Sequence, residues 1–255
     1  MSWDLYIVWI LGFLRASALM LVFPVFSSQQ IPVRMRIALA GVTAFLIAPL
    51  IKFDVPALPS LLGLVGILSL EIMTGLLMGF ICRMVFFTVQ LAGSIIAFQM
   101  GLQMSSAIDP GTNSNTETPG LILYYLTALL FLALDMHHWV LAGFVESYTV
   151  LPVGAAGLGT ALMDEGIAHT GRIFASAVQM SAPLLAVAFL ITYVFALLGR
   201  TVPQMNVFSE SFAARTLAGL IVFGLTVQLT AAHITNHLRR IPQDLSNIVH
   251  LLGSG

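Results

Sequence analysis

Residues 58–104 read "LPSLLGLVGILSLEIMTGLLMGFICRMVFFTVQLAGSIIAFQMGLQM", with Glu71 and Arg83 as the only charges. The stretch is more than twice the roughly 20 apolar residues that cross a bilayer's hydrocarbon. No turn residue stands at the Cys82-Arg83 junction. Two readings are therefore open: separate spans over 58–82 and 84–104, or one long helix that bends. Both are helical, because hydrocarbon offers the backbone no water and its N–H and C=O groups must pair internally.

The rest of the chain has the same character. Of its 255 residues, 58% are hydrophobic and 8% charged, and the mean hydropathy is +0.98. A soluble domain carries about 25% charged residues, so this chain has too little polar surface to wet a globule and must be covered by lipid, by partner proteins or by both. A formal net charge of −1 gives no electrostatic case for nucleic acid. Cys82 is the single cysteine, which excludes an internal disulfide and a multi-cysteine metal site. The start, "MSWDLYIVWI", has no Lys or Arg ahead of its apolar run and is expected to be a retained segment, not a signal peptide.

Further apolar runs occupy residues 5–26, 37–51 (short for a span), 121–145, 174–199 and 213–234, with Pro24 and Pro183 expected to kink their helices. Arg34 and Arg36 mark one loop as cytoplasmic and Arg239 and Arg240 mark the tail, but Lys52 and Arg200 then fall on the wrong side of a simple alternating bundle. Arg15, Glu71, Arg83, Asp135 and Glu146 lie within or beside apolar runs, with no Asp, Glu, Lys or Arg of opposite sign three or four residues away. A charge at the bilayer centre costs about 2.5–3.5 kcal/mol even on lenient scales. Partners must come from another helix of the chain or from another subunit. Gly75 and Gly79, and Gly93, Ala97 and Gly101, recur every four residues and form small-residue faces for close helix packing. Gln99 and Gln103, one turn apart, fit a cross-helix hydrogen bond or a wet path.

Nothing points to bond-making chemistry. There is no phosphate-cradling glycine loop with lysine and no nucleophile elbow. His233 and His237 are one turn apart but lack a nearby Cys, Asp or Glu to complete a metal site, and they read as a polar helix end. His137 and His138, being adjacent, are expected on different sides of a helix. Asp164-Glu165 reads as a solvated loop. No enzyme activity, cofactor or metal is expected.

The order of several motifs resembles the flagellar biosynthetic protein FliR family of type III secretion export gates, whose injectisome counterpart is the SctT family. "LRASALMLVFPVF", "IPVRMRIALA" and "LIAP" are similar to the family's opening through Arg15, Pro24, Pro32, Arg34, Arg36 and Pro49. "AGSIIAFQMGLQMSSAIDP" resembles its centre through Gly93, Gln99-Met100-Gly101-Leu102 and Asp109-Pro110. "MHHWVLAGFVESYTVLPVG" continues it through His137, Trp139 and Leu151-Pro152-Val153-Gly154. Ser94 departs from the pattern, standing where some relatives carry an acid. From Ser181 to Val227 the sequence also resembles a Q-type partner subunit, a two-helix hairpin, through Ala182-Pro183-Leu184-Leu185, Gln204 and Asn206.

The resemblance implies an all-α, membrane-associated fold of long kinked hairpins. Residues 1–173 would form a P-type-like region and 174–255 a Q-type-like hairpin and tail, packed in a helical export-gate assembly. Implied partners are the P-type and Q-type gate subunits (FliP and FliQ), the FlhB-type switch protein, the FlhA-type gate protein, unfolded flagellar substrates and membrane lipid. The implied place is the bacterial inner membrane at the flagellar basal body, partly raised above the bilayer plane.

Between the runs ending at 104 and starting at 121 lies a polar loop, 105–120, with two acids, no base and no aromatic. Asp109-Pro110-Gly111 is a turn signal, and by itself the segment reads as an exposed loop. The resemblance implies a pore plug formed by Ser105, Ser106, Ile108, Asp109, Pro110 and Gly111, with Thr112, Asn113, Ser114 and Asn115. Met100 and Met104 are candidates for a flexible apolar seal or for plain helix packing. In the C-terminal hairpin, Gln204, Asn206 and Glu210 are candidates for narrowing the cytoplasmic end. The function expected is a gate subunit passing unfolded flagellar proteins. The alternative is a secondary transporter for a small solute, a class that combines broken helices with midplane charges.

Overall fold

A computed structural model describes residues 3–27, 31–50, 61–102, 118–157, 159–202, 204 and 206–254. The described residues contain helices and no strands: α1 (Trp3–Val22), α2 (Pro24–Ser27), α3 (Val33–Ile47), α4 (Leu61–Gln99), α5 (Thr118–Ala133), α6 (Met136–Val150), α7 (Thr160–Thr201), α8 (Val207–Leu238) and α9 (Ile241–Gly253), with a 3₁₀ turn at Ala48–Leu50. The all-α expectation holds. Segment 103–117, with most of the expected plug loop and with Gln103 and Met104, lies outside the described residues. Thr118–Gly120, counted with that loop in the sequence, are the first turn of α5.

The Cys82-Arg83 junction is uninterrupted helix. α4 runs for 39 residues, about 58 Å at 1.5 Å per residue, and α7 for 42 residues, about 63 Å. Each is roughly twice the thickness of bilayer hydrocarbon. α4 ends where Gly101 takes a left-handed conformation (φ +75°) and Leu102 N–H closes back on the Ala97 carbonyl at 3.0 Å, a Schellman-type stop. Gly101 is thus a cap, not a third member of the small face.

Three expectations are corrected. The run 121–145 is two helices, bent by 69°. The break falls at Asp135, the only non-glycine with positive φ (54°) among the described residues, a conformation that Asp tolerates better than most. Asp164 and Glu165 are helical, because α7 starts at Thr160 and not at 174. Glu210 belongs to the first turn of α8, leaving Gln204 and Asn206 in the connection. The proline readings differ from each other in outcome. Pro24 follows a break at Phe23 and starts α2, whereas Pro183 is carried inside α7.

The chain divides into two compact units: Met1–Val85 with Leu132–His169 and Leu238–Gly255, and Phe86–Phe131 with Thr170–His237. α4 and α7 contribute residues to both. In the first unit α1 lies along α3, with Trp9 Nε1 donating to the Gly41 carbonyl at 3.2 Å. α9 is strongly amphipathic and buries Ile241, Leu245, Ile248, Val249 and Leu252, packing against α6.

Among the described residues, three stretches are long and apolar enough to cross a membrane: Leu61–Gln99, Thr160–Thr201 and Ser209–Gly253, or four if the bent α5–α6 pair is one span. Within the chain only 22%, 11% and 11% of their most apolar windows is buried, so most of that surface is left to other molecules.

Candidate functional site

Arg15 sits in the middle of apolar α1 and Glu71 in the first third of apolar α4. Each is only 1% exposed. They meet as a two-pronged ion pair: Nε donates to Oε2 at 2.7 Å and Nη2 to Oε1 at 2.9 Å. Arg15 Nη1 donates to Ser147 Oγ at 3.0 Å, and the guanidinium carbon lies 3.9 Å from the centre of the Tyr148 ring. Glu71 Oε1 also accepts the Gly154 N–H at 3.1 Å. The planar guanidinium suits this use, because its fixed fork matches a carboxylate on one edge and an aromatic face on its plane.

The spacing along α4 explains how the pair forms. Glu71, Gly75 and Gly79 follow each other at four-residue intervals and share one face. A Cβ at Gly75 would overlap the Arg15 carbonyl oxygen, and one at Gly79 would lie 2.7 Å from the Leu19 carbonyl oxygen. Backbone contact on the glycine side thus brings Arg15 within reach of Glu71 one turn away. Gly154 is also required: its φ of +75° places its N–H on the carboxylate. One network therefore ties α1, α4, α6 and the turn after α6 together.

Of the two sources of partners open to the charges in apolar runs, Arg15 and Glu71 use another helix of the same chain. Arg83, Asp135 and Glu146 do not join them; all three are exposed.

In the second unit the approach to segment 103–117 is held by α8. Thr216 Oγ1 donates to the Met100 carbonyl at 2.8 Å, Phe212 packs on Gly101, and the Met100 side chain lies on Gly219. Met100 is 1% exposed, and its surroundings are those of a packing residue. Gly93 meets Gly120 so closely that a Cβ at Gly93 would overlap the Gly120 Cα. Of the described residues on either side of segment 103–117, Met100 and Gly101 are held on α8 and Gly120 on α4.

Arg215, on the same helix as Thr216, has a buried Nε with no hydrogen-bond partner among the described residues. It lines a cavity of about 10 Å³, room for roughly one water, with Gln99, Met100, Leu184, Ala188 and Gly219. Gln204 and Asn206 in the hairpin connection, and Glu210 in the first turn of α8, are exposed. Asn206 Oδ1 accepts the Ser209 N–H at 3.3 Å, an N-cap for α8.

Residues 6–241 match the family described as "Bacterial export proteins, family 1". The chain belongs to that family, the FliR family. Similarity to curated members covers nearly the whole length. The chain is 30% identical over 256 residues to the "Flagellar biosynthetic protein FliR" of Bacillus subtilis strain 168, covering 98% of this chain and 97% of that one. It is 28% identical over 250 residues to the protein of the same name from Escherichia coli K12, covering 98% and 94%. The Caulobacter vibrioides protein of that name is 28% identical over 232 residues, covering 91% and 92%. The family match takes in Arg15, Glu71, Ser147, Gly154 and the Met100–Thr216 contact alike.

Sequence reading missed Ser147, Tyr148, Thr216 and Arg215. Arg215 carried a usable signal, being a charge near the start of the apolar run 213–234. Ser147 and Thr216 carried none, since serine and threonine are ordinary in apolar helices.

Proposed function

We propose that this FliR-family component of the flagellar export apparatus forms, with P-type and Q-type subunits, the channel through which unfolded flagellar proteins leave the cytoplasm. Segment 105–120 helps to close the pore, and the FlhB-type and FlhA-type proteins act on the same gate. The assembly sits in the inner membrane at the basal body, with part of it raised above the bilayer. Residues 1–173 take the place of a P-type subunit and 174–255 that of a Q-type hairpin, whose Gln204, Asn206 and Glu210 narrow the cytoplasmic end.

The observation that carries this reading is the outer surface of the long helices. Helices about twice as long as bilayer hydrocarbon is thick, with at most 22% of their apolar windows buried, need more cover than hydrocarbon provides. Arg215 does not bear on this, since its buried Nε, without an acceptor among the described residues, lies beside a cavity with room for about one water. The transporter alternative draws on Glu71 as a coupling carboxylate. That carboxylate already accepts three hydrogen bonds, which leaves little capacity for a coupling ion.

Pore closure is tested by deleting Ile108–Glu117 and recording ion conductance of assembled gates in planar bilayers. The deletion should raise resting conductance while leaving subunit stoichiometry intact. Intact assembly with unchanged conductance would rule out a role for the segment in closure.

A further inference from the structure

His137 and His138 do not point to different sides of a helix. They fall in the first turn of α6, just after the bend, with ring centres 4.1 Å apart and an angle of 38° between the rings. Asp135 joins them: its Oδ1 is 3.8 Å from His138 Nδ1. One ligand atom from each of the three residues lies within 4.8 Å of the others.

We propose that Asp135, His137 and His138 bind a divalent metal ion of the zinc class at the bend between α5 and α6. Imidazole and carboxylate are the donors such an ion takes, and a tetrahedral site with bonds of about 2.0–2.2 Å sets its ligand atoms roughly 3.3–3.6 Å apart. The observed spacing is wider than that range, so binding calls for side-chain rotations. Asp135 and His138 have room to make them, being 71% and 70% exposed.

Two features of the bend bear on the site. Asp135 is the N-cap of α6 in the left-handed conformation and not the extended one that capping uses, so its side chain makes no capping hydrogen bond. The carboxylate faces His138 instead. Its charge also offsets the positive end of the helix, which would otherwise repel a cation. Second, His137 Nδ1 is buried with no hydrogen-bond partner among the described residues. An Asp135–His138 ion pair would explain two of the three side chains and leave the third with an unmet polar atom. A shared cation accounts for all three. Three protein ligands leave a fourth position for water or for a side chain of a neighbouring molecule. The ion would brace the bend from one side, because its ligands are the turning residue and two residues of the helical turn that follows it.

The test uses the full-length chain, purified in detergent with an affinity tag that contains no histidine and stripped with a chelator. Zinc is titrated in competition with a chromophoric chelator, and cobalt is substituted to read coordination from its visible spectrum. One zinc per chain is expected, with a nitrogen–oxygen cobalt spectrum. Asp135→Asn, His137→Ala and His138→Ala should each weaken binding by about tenfold or more. His233→Ala/His237→Ala serves as the control and should bind like the parent chain. Helical circular dichroism checks that each variant is folded. Folded His137→Ala/His138→Ala protein that takes up zinc as the parent does would overturn the proposal, as would a parent chain that takes up none.

Discussion

Arg15 and Glu71 form a buried, doubly hydrogen-bonded ion pair in the first unit. A buried pair of this kind is roughly neutral against an apolar replacement of both partners, but removing one partner strands the other and costs about 3–5 kcal/mol. Glu71→Ala should therefore lower the chain's melting temperature steeply, while Arg15→Met/Glu71→Leu should recover most of the loss. Thermal unfolding of the purified chain, followed by tryptophan fluorescence, reads both. An additive double variant would mean that the two side chains do not depend on each other. Both residues were visible in the sequence as charges in the wrong place. Their partnership was not, because the pair is separated by 56 residues and Ser147 stands 132 residues from Arg15. No local pattern encodes a contact at that range.

Helix packing was more legible than helix breaking. The four-residue spacing of Glu71, Gly75 and Gly79 marks one face of α4, and that face is where α1 lies. Gly75→Val would put a methyl-bearing carbon into the Arg15 carbonyl, forcing the helices apart at a cost of at least about 1–3 kcal/mol. A Cβ added at Gly66, on the same helix, would meet nothing within 4 Å, so Gly66→Ala should be neutral or stabilise by up to about 1 kcal/mol. Chemical denaturation of the two variants side by side separates close approach from helix propensity. A milder effect is expected at the start of α8, where Asn206→Ala removes the N-cap at a cost of ~1 kcal/mol. The bend at Asp135 was not legible. Residues 128–142 contain neither proline nor glycine, and an aspartate in the left-handed region is imposed by its surroundings, not by its own preference. The early start of α7 was hidden for a related reason: Asp164 and Glu165 suit an exposed helix face as well as they suit a loop.

At the scale of the whole chain, composition decides the class. A protein with 8% charged residues and helices of 39 and 42 residues cannot be a wetted globule. The motifs point to the family, and the match over residues 6–241 places the chain in it. Composition does not distinguish lipid from protein as the cover for apolar helices, since both present hydrocarbon. Arg15 and Glu71 complete each other inside the chain and ask for no partner there. The outer surface of the long helices, of whose apolar windows at most 22% is buried within the chain, is where neighbouring subunits are expected. The most direct measurement is native mass spectrometry of the chain released from detergent, expressed with and without P-type and Q-type subunits. The account predicts one copy of this chain in a hetero-oligomer with both partner types when they are present, and no closed homo-oligomer when it is expressed alone. A monodisperse monomer or homo-oligomer that stays free of both partners during co-expression would contradict it.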